Sequence, residues 1–227
     1  MKSLTHYIQE KLIIKKNKRM DYKYFPKTNE ELKEIIKKRI ENKGNEVDLN
    51  DIDVSNITNM SNLFEDLDFN GDISDWDVSN VNDMNYMFAG CKKFNQDISS
   101  WDVSNVKSMN GMFAACDKFN QDISSWDVSN VIDMFFMFAG CKVFNQDISS
   151  WDVSNVISMN NMFASCTLFN QDISKWDVSN VTNMKYMFYR CESFNQDISS
   201  WNVSNVKFID RIFYRCPIEE KYKPKFK

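Results

Sequence analysis

Two hydrophobic periods alternate along the chain. At Trp76 and Val78, flanked by Asp75, Asp77 and Ser79, apolar and polar residues alternate with the period of two expected of a strand with one buried face. Val81, Met84, Met87, Phe88 and Cys91 then recur at the spacing of one helix face. The switch falls at Ser79-Asn80, residue types whose side chains accept the free amides of a first helical turn. The pattern therefore predicts a short strand, a cap, a helix of about three turns and a return loop through Phe94-Asn95-Gln96-Asp97. In that loop Phe94 reads as core, and Asp97 suits a turn in which its side chain bonds amides two residues ahead.

The same unit returns throughout the chain. Trp stands at 76, 101, 126, 151, 176 and 201, and Cys at 91, 116, 141, 166, 191 and 216, always 25 apart. A divergent entry unit begins at Asp48, with Leu49, Ile52, Val54 and Ile57 in the apolar places. A fixed period of this length means stacked units that cannot bury a core alone. Strands joined by helical crossovers pair in parallel with right-handed connections. The expected fold is an α/β solenoid, a leucine-rich-repeat-like right-handed stack of seven strand-helix coils with an N-terminal capping helix. Seven strands would give a ribbon on the order of 30 Å, curved because helices are wider than strands.

The ends are read separately. Residues 1–27 form a basic leader, open to disorder, and residues 28–46 a capping helix. In that helix Thr28 with Glu31 makes a capping box, Leu32, Ile35, Ile36 and Ile40 make an apolar stripe, and Gly44 ends it. The stack occupies 47–216 and a C-terminal tail or cap 217–227, where Pro217 stops the last helix and Tyr222 and Phe226 fold over the open edge.

Charge narrows the partners. The repeat body, 47–216, holds 23 acidic and 11 basic residues, whereas the two ends hold 9 and 17. A body that acidic repels phosphate backbones, which disfavours nucleic acid. No stretch offers the ~20 apolar residues of a membrane span, so no membrane insertion is expected. No secretory signal is legible in the first 20 residues, and the chain as written reads as cytoplasmic.

Candidate chemistry is sparse. The one histidine, His6, lies in the leader, so no Ser-His or Cys-His pairing suggests itself and no catalytic residue is expected. The cysteines lack the close pairing of soft-metal sites and read as buried, reduced thiols, and the six Trp read as core. Asp77, Asp102, Asp127, Asp152 and Asp177 fall between Trp and Val, hence on the exposed face. A column of like charges invites weak Ca²⁺ binding, the only cofactor considered. Where units differ, the middle ones place Ile132, Phe136 and Ile157 outward, with Phe135, Val143 and Leu168 flanking, whereas other units carry mostly Asn, Lys, Thr or Ser. A contiguous exposed apolar patch tends to mark an interface.

The unit D-I-S-x-W-D-V-S-N-V-x-x-M-x-x-M-F-x-x-C-x-x-F-N-Q resembles the repeat of BspA-like leucine-rich-repeat surface proteins, especially the form abundant in mycoplasma lipoproteins and some gut and oral bacteria. The resemblance covers 47 to about 216, and the segment from Phe25-Pro26-Lys27-Thr28 through Asn50 resembles the usual lead-in. It implies a leucine-rich-repeat-like solenoid, a bacterial cell-surface setting and a role in adhesion or host contact. The signal peptide and lipidation cysteine of such proteins are not seen near the start of this chain. Taken together, the expectation is a non-enzymatic scaffold that binds a protein partner or a second copy of itself, with a glycan less favoured. The rivals are a structural spacer and a Ca²⁺- or carbohydrate-binding module using the Asp and Ser face.

Overall fold

A computed structural model describes residues 21–226. One α-helix, α1 (Asn29–Lys43), precedes the repeats, and a single 3₁₀ turn (Glu220–Tyr222) follows them. Between the two, the described residues hold no further helix and no extended strand, only isolated parallel bridges. The strand-helix expectation is thereby overturned: the molecule is not an α/β solenoid of seven strand-helix coils, and without crossover helices the handedness rule has nothing to act on.

What replaces helix and strand is a run of tight turns stitched to the neighbouring units. Along Met84–Cys91 the N–H groups alternate in destination. Those of Met87, Ala89 and Cys91 return to the carbonyls of Met84, Tyr86 and Phe88, three residues back. Those of Met84, Tyr86, Phe88 and Gly90 cross to Ser108, Asn110, Met112 and Ala114 of the next unit. An α-helix cannot form here because two positions per unit sit in the left-handed region. One column runs through Asn62, Tyr86, Gly111, Phe136, Asn161, Tyr186 and Arg211, the other through Asp66, Gly90, Ala115, Gly140, Ser165, Arg190 and Arg215. The bridges Asn59–Asp83–Ser108–Asp133–Ser158–Asn183–Phe208 lie just before this run. The backbone ladder therefore runs along the side expected to be helical, and on the Trp-Asp-Val side the described residues show a single bridge, Tyr24–Ile52, at the first unit.

Burial nonetheless follows the sequence pattern. Val81, Met84, Met87, Phe88, Cys91 and Phe94, with their equivalents in the next four units, are fully buried, and the indoles are nearly so. Turns of three residues and helices both return a side chain to the same face at i+3, so the apolar spacing is met by either. Aromatic rings stack in register: Trp76 on Trp101 at 6.5 Å, Phe88 on Phe113 at 5.7 Å and Phe94 on Phe119 at 6.0 Å, all within 11° of parallel. Truncating one such ring to alanine costs about 3–5 kcal/mol.

The first unit is closed from outside. Thr28 Oγ1 accepts the Glu31 N–H at 3.2 Å and Glu31 Oε2 accepts the Lys27 N–H at 2.7 Å, and Gly44, at φ 83°, ends α1 with its N–H on Ile40 O. Leu32 and Ile36 are buried against the repeats. Arg39 meets both carboxylate oxygens of Asp51 at 2.8–2.9 Å and lies 5.3 Å from the Tyr24 ring centroid. Burial alone would raise Asp51, but hydrogen bonds from Arg39 and Lys23 outweigh it and hold the carboxyl below its ordinary value. Residues 21–27, expected to belong to the leader, are tied to the first unit by the Tyr24–Ile52 bridge. His6 and the leader's Lys15, Lys16, Lys18 and Arg19 lie outside the described residues.

Candidate functional site

A fold with so little regular structure must satisfy its backbone otherwise, because buried unpaired amides and carbonyls are costly. The repeated polar residues do this. Asn80, Asn105, Asn130, Asn155, Asn180 and Asn205 each donate a side-chain N–H to a Ser carbonyl of the preceding unit at 2.7–2.8 Å. Gln96 and Gln121 reach back in the same way to Asn70 O and Asn95 O at 2.8 Å. Each indole Nε1 donates to the preceding unit, as Trp126 does to Ile98 O at 3.2 Å. The residues that look like an unvarying polar surface in sequence are thus the cross-links of the stack.

The cysteine column belongs to the same system. Cys91, Cys116, Cys141 and Cys166 donate S–H to Phe64 O, Phe88 O, Phe113 O and Phe138 O at 2.9 Å. Burial pushes the Cys91 thiol up to about 12 and the half-buried Cys216 up to about 11, and it raises those between them. A thiol held neutral is a poor nucleophile and a poor metal ligand.

The proposed cation column is engaged by its own turns. Asp77, Asp102, Asp127, Asp152 and Asp177 are exposed, and Oδ1 of each accepts the N–H of the serine two residues on, at 3.0–3.1 Å. The hydroxyl and amide of that serine hold Asp127 and Asp177 below the usual carboxylate range. Among the described residues no group of three or more His, Cys, Asp or Glu side chains is arranged to hold a metal ion. The column's charge serves the turn, which sequence reasoning assigned to Asp97 and did not extend to Asp77.

The expected partner patch resolves into two pairs plus an aromatic couple. Ile132 and Ile157 are adjacent on the ladder, with the Ile157 N–H on Ile132 O at 2.8 Å, and are 45% and 49% exposed. The same column carries Thr58, Asn82, Lys107, Thr182 and Lys207 in the other units. Phe135 and Phe136 make an edge-to-face contact at 4.2 Å and are half-buried. Val143 and Leu168 occupy equivalent places in neighbouring units after the Cys, with Leu168 51% exposed. These two sit at a different point of the unit from the isoleucines, so the six residues are two neighbouring pairs and a couple on the ladder side.

A second cluster escaped sequence reasoning. On the last two units Tyr189 stacks on Tyr214 at 5.2 Å, Arg190 lies over Tyr189 at 5.4 Å, and Arg211 and Arg215 approach Tyr214 at 5.7 and 5.5 Å. The signal was present in Tyr-Arg-Cys at 189–191 and again at 214–216, but it was averaged into an acidic body.

These features define a repeat protein whose units are cross-linked by side chains and whose variable positions face outward. The family described as "Mycoplasma protein of unknown function, DUF285" matches residues 30–149 and 116–223. The chain belongs to this family. Comparison with curated proteins and with solved structures gave no match. No helix among the described residues is long and apolar enough to cross a membrane.

Proposed function

We propose that the chain is a non-enzymatic binding scaffold of the BspA-like surface-protein type, and that a protein partner docks on the ladder side of the middle units. One observation carries this reading: Ile132 and Ile157 sit side by side and exposed in a column that is otherwise Thr, Asn or Lys, beside the Phe135–Phe136 couple. Apolar side chains gathered at one place on a polar surface favour association. The spacer and cation-module readings receive no comparable support, because the Asp and Ser face is occupied with its own turns.

The test uses residues that sister units already carry. Ile132→Thr with Phe136→Asn imports the side chains found at Thr182 and Asn161, so the fold is kept. Sedimentation velocity on the wild type and the double variant, with quantitative recovery of crosslinked partners from host-cell extract, reads the patch. A species retained by the wild type and reduced at least about tenfold by the variant supports it. Equal recovery with unchanged sedimentation removes the patch from the account, and loss of a concentration-dependent dimer identifies the partner as a second copy.

A further inference from the structure

The two faces of any unit are not alike. Each unit offers N–H groups forward to the next one, as Met184, Tyr186, Phe188 and Arg190 do to the carbonyls of Phe208, Asp210, Ile212 and Tyr214. The last unit repeats the arrangement, and among the described residues no further unit stacks on it. Among the described residues, the N–H groups of Ile209, Arg211, Phe213 and Arg215 have no acceptor, and Phe208, Ile209 and Tyr214 are exposed. The tail closes only the other half of this unit: Tyr222 O accepts the Ile198 N–H, Glu219 N–H bonds Asn195 Oδ1, and Ile218 is buried. Between tail and unit remains a cavity of about 710 Å³ lined by Ile212, Phe213, Lys223, Lys225 and Phe226 among others.

An open row of donors is a template for an added extended segment. We infer that the uncovered edge of the last unit, 207–215, binds an extended acidic segment of a partner protein, which adds as one further rung. The edge dictates the charge. Lys207, Arg211 and Arg215 are exposed on it, with Arg190 one unit behind. Within the stack, basic residues of one unit pair with carboxylates of its neighbour: Lys93 with Asp68 at 3.2 Å, Lys142 with Asp117 at 2.9 Å and Lys185 with Asp210 at 2.7 Å. The edge basics are left without such a neighbour, and an acidic rung supplies it. The Phe213 ring borders the cavity with Lys223 Nζ 5.8 Å from its centroid, and each inner unit lays a Phe over the equivalent ring, so the segment carries an aromatic residue among its acids that takes the place of the lysine.

Other occupants fit less well. A second copy stacked head to tail is blocked, because α1 covers the first unit and Asn29 Nδ2 already takes Ser61 O at 3.0 Å. The chain's own leader is basic and would meet like charge. Stacked tyrosines with arginines also suit single-stranded nucleic acid, but the alternate N–H donors of the edge repeat at the carbonyl spacing of an extended peptide, as they do between the inner units.

The probe is a fluorescein-labelled, N-acetylated peptide copying residues 55–68, SNITNMSNLFEDLD, which has the ladder pattern. Its Phe64 falls at the Phe213 register, with Glu65, Asp66 and Asp68 around it. Binding to the full chain is read by fluorescence anisotropy, and amide protection by hydrogen exchange. Saturable binding that weakens with salt, with new protection at Ile209, Arg211, Phe213 and Arg215, is the expected result. Arg211→Gly with Arg215→Gly should weaken binding at least about tenfold. Glycine is native at those places in other units, at Gly111 and at Gly90 and Gly140, so the variant folds. No saturation up to about 1 mM, equal binding by the double variant, or equal binding by the peptide with Gln and Asn for its acids overturns the inference. Tighter binding of a short oligothymidylate, lost in the same variant, overturns it in favour of nucleic acid.

Discussion

The two ends of the stack present the same problem and solve it to different degrees. At the N-terminal end α1 lays Leu32 and Ile36 over the first unit, and Arg39 ties helix, Asp51 and Tyr24 together. At the C-terminal end the tail bonds Ile198 and Asn195 but leaves the ladder N–H groups open, where Ile209 and Tyr214 face water. An interior made of identical columns has no natural terminus, so each end needs a dedicated lid. A half-fitted lid leaves a reactive edge, and that contrast separates structural closure from an available surface.

The largest expected effect is of pH. Thiols whose folded pKa is raised stabilise the native state fully below the unfolded value of 9.0, and that contribution is lost as pH rises toward the folded value. Urea midpoints should therefore fall between pH 9 and about 12, the range set by Cys91. Near the open end the loss is complete by about 11, and Cys216 should react first with a thiol reagent under native conditions. Equal reactivity of Cys91 and Cys216 would erase the difference between the ends. Next in size, Leu32→Ala should cost about 3 kcal/mol in urea unfolding, whereas Ile209→Ala, 39% exposed in the last unit, should cost under about 1 kcal/mol. Comparable losses at the two positions would mean that the far edge is as firmly packed as the near one. The smallest effect has the opposite sign. Arg211→Gly relieves a left-handed non-glycine residue at φ 51°, an effect largely offset by the entropy of glycine in the unfolded chain, and should stabilise by about 0.5 kcal/mol.

How much of this was legible depends on what kind of signal a residue leaves. Burial leaves a strong one: Trp76, Val78, Met84, Phe88, Cys91 and Phe94 were all assigned inward from spacing alone, and all are buried. Conformation leaves a weaker one, because a return at i+3 is common to helices and to three-residue turns. The discriminating residues were the glycines and asparagines at Asn62, Gly90, Gly111, Gly140 and Asn161, which tolerate the left-handed region and recur at two fixed places in the unit. Tyr86 and Phe136 at the same places masked that signal. The polar columns were read as exterior because a sequence does not show that Asn80 bonds a carbonyl 25 residues away. Of the candidate patch, the adjacency of Ile132 and Ile157 followed from the period, whereas the separate setting of Val143 and Leu168 required coordinates.

The side-chain cross-links carry a consequence for how such a chain can change. Asn105 finds at Ser79 what Asn130 finds at Ser104 and Asn155 at Ser129, so every joint between units is the same joint. Removing or duplicating one whole block of 25 residues in the middle brings matching donors and acceptors together again, while a gain or loss of any other length breaks every column at the seam. Inheritance can therefore lengthen or shorten this molecule in whole steps and leave both ends unaltered.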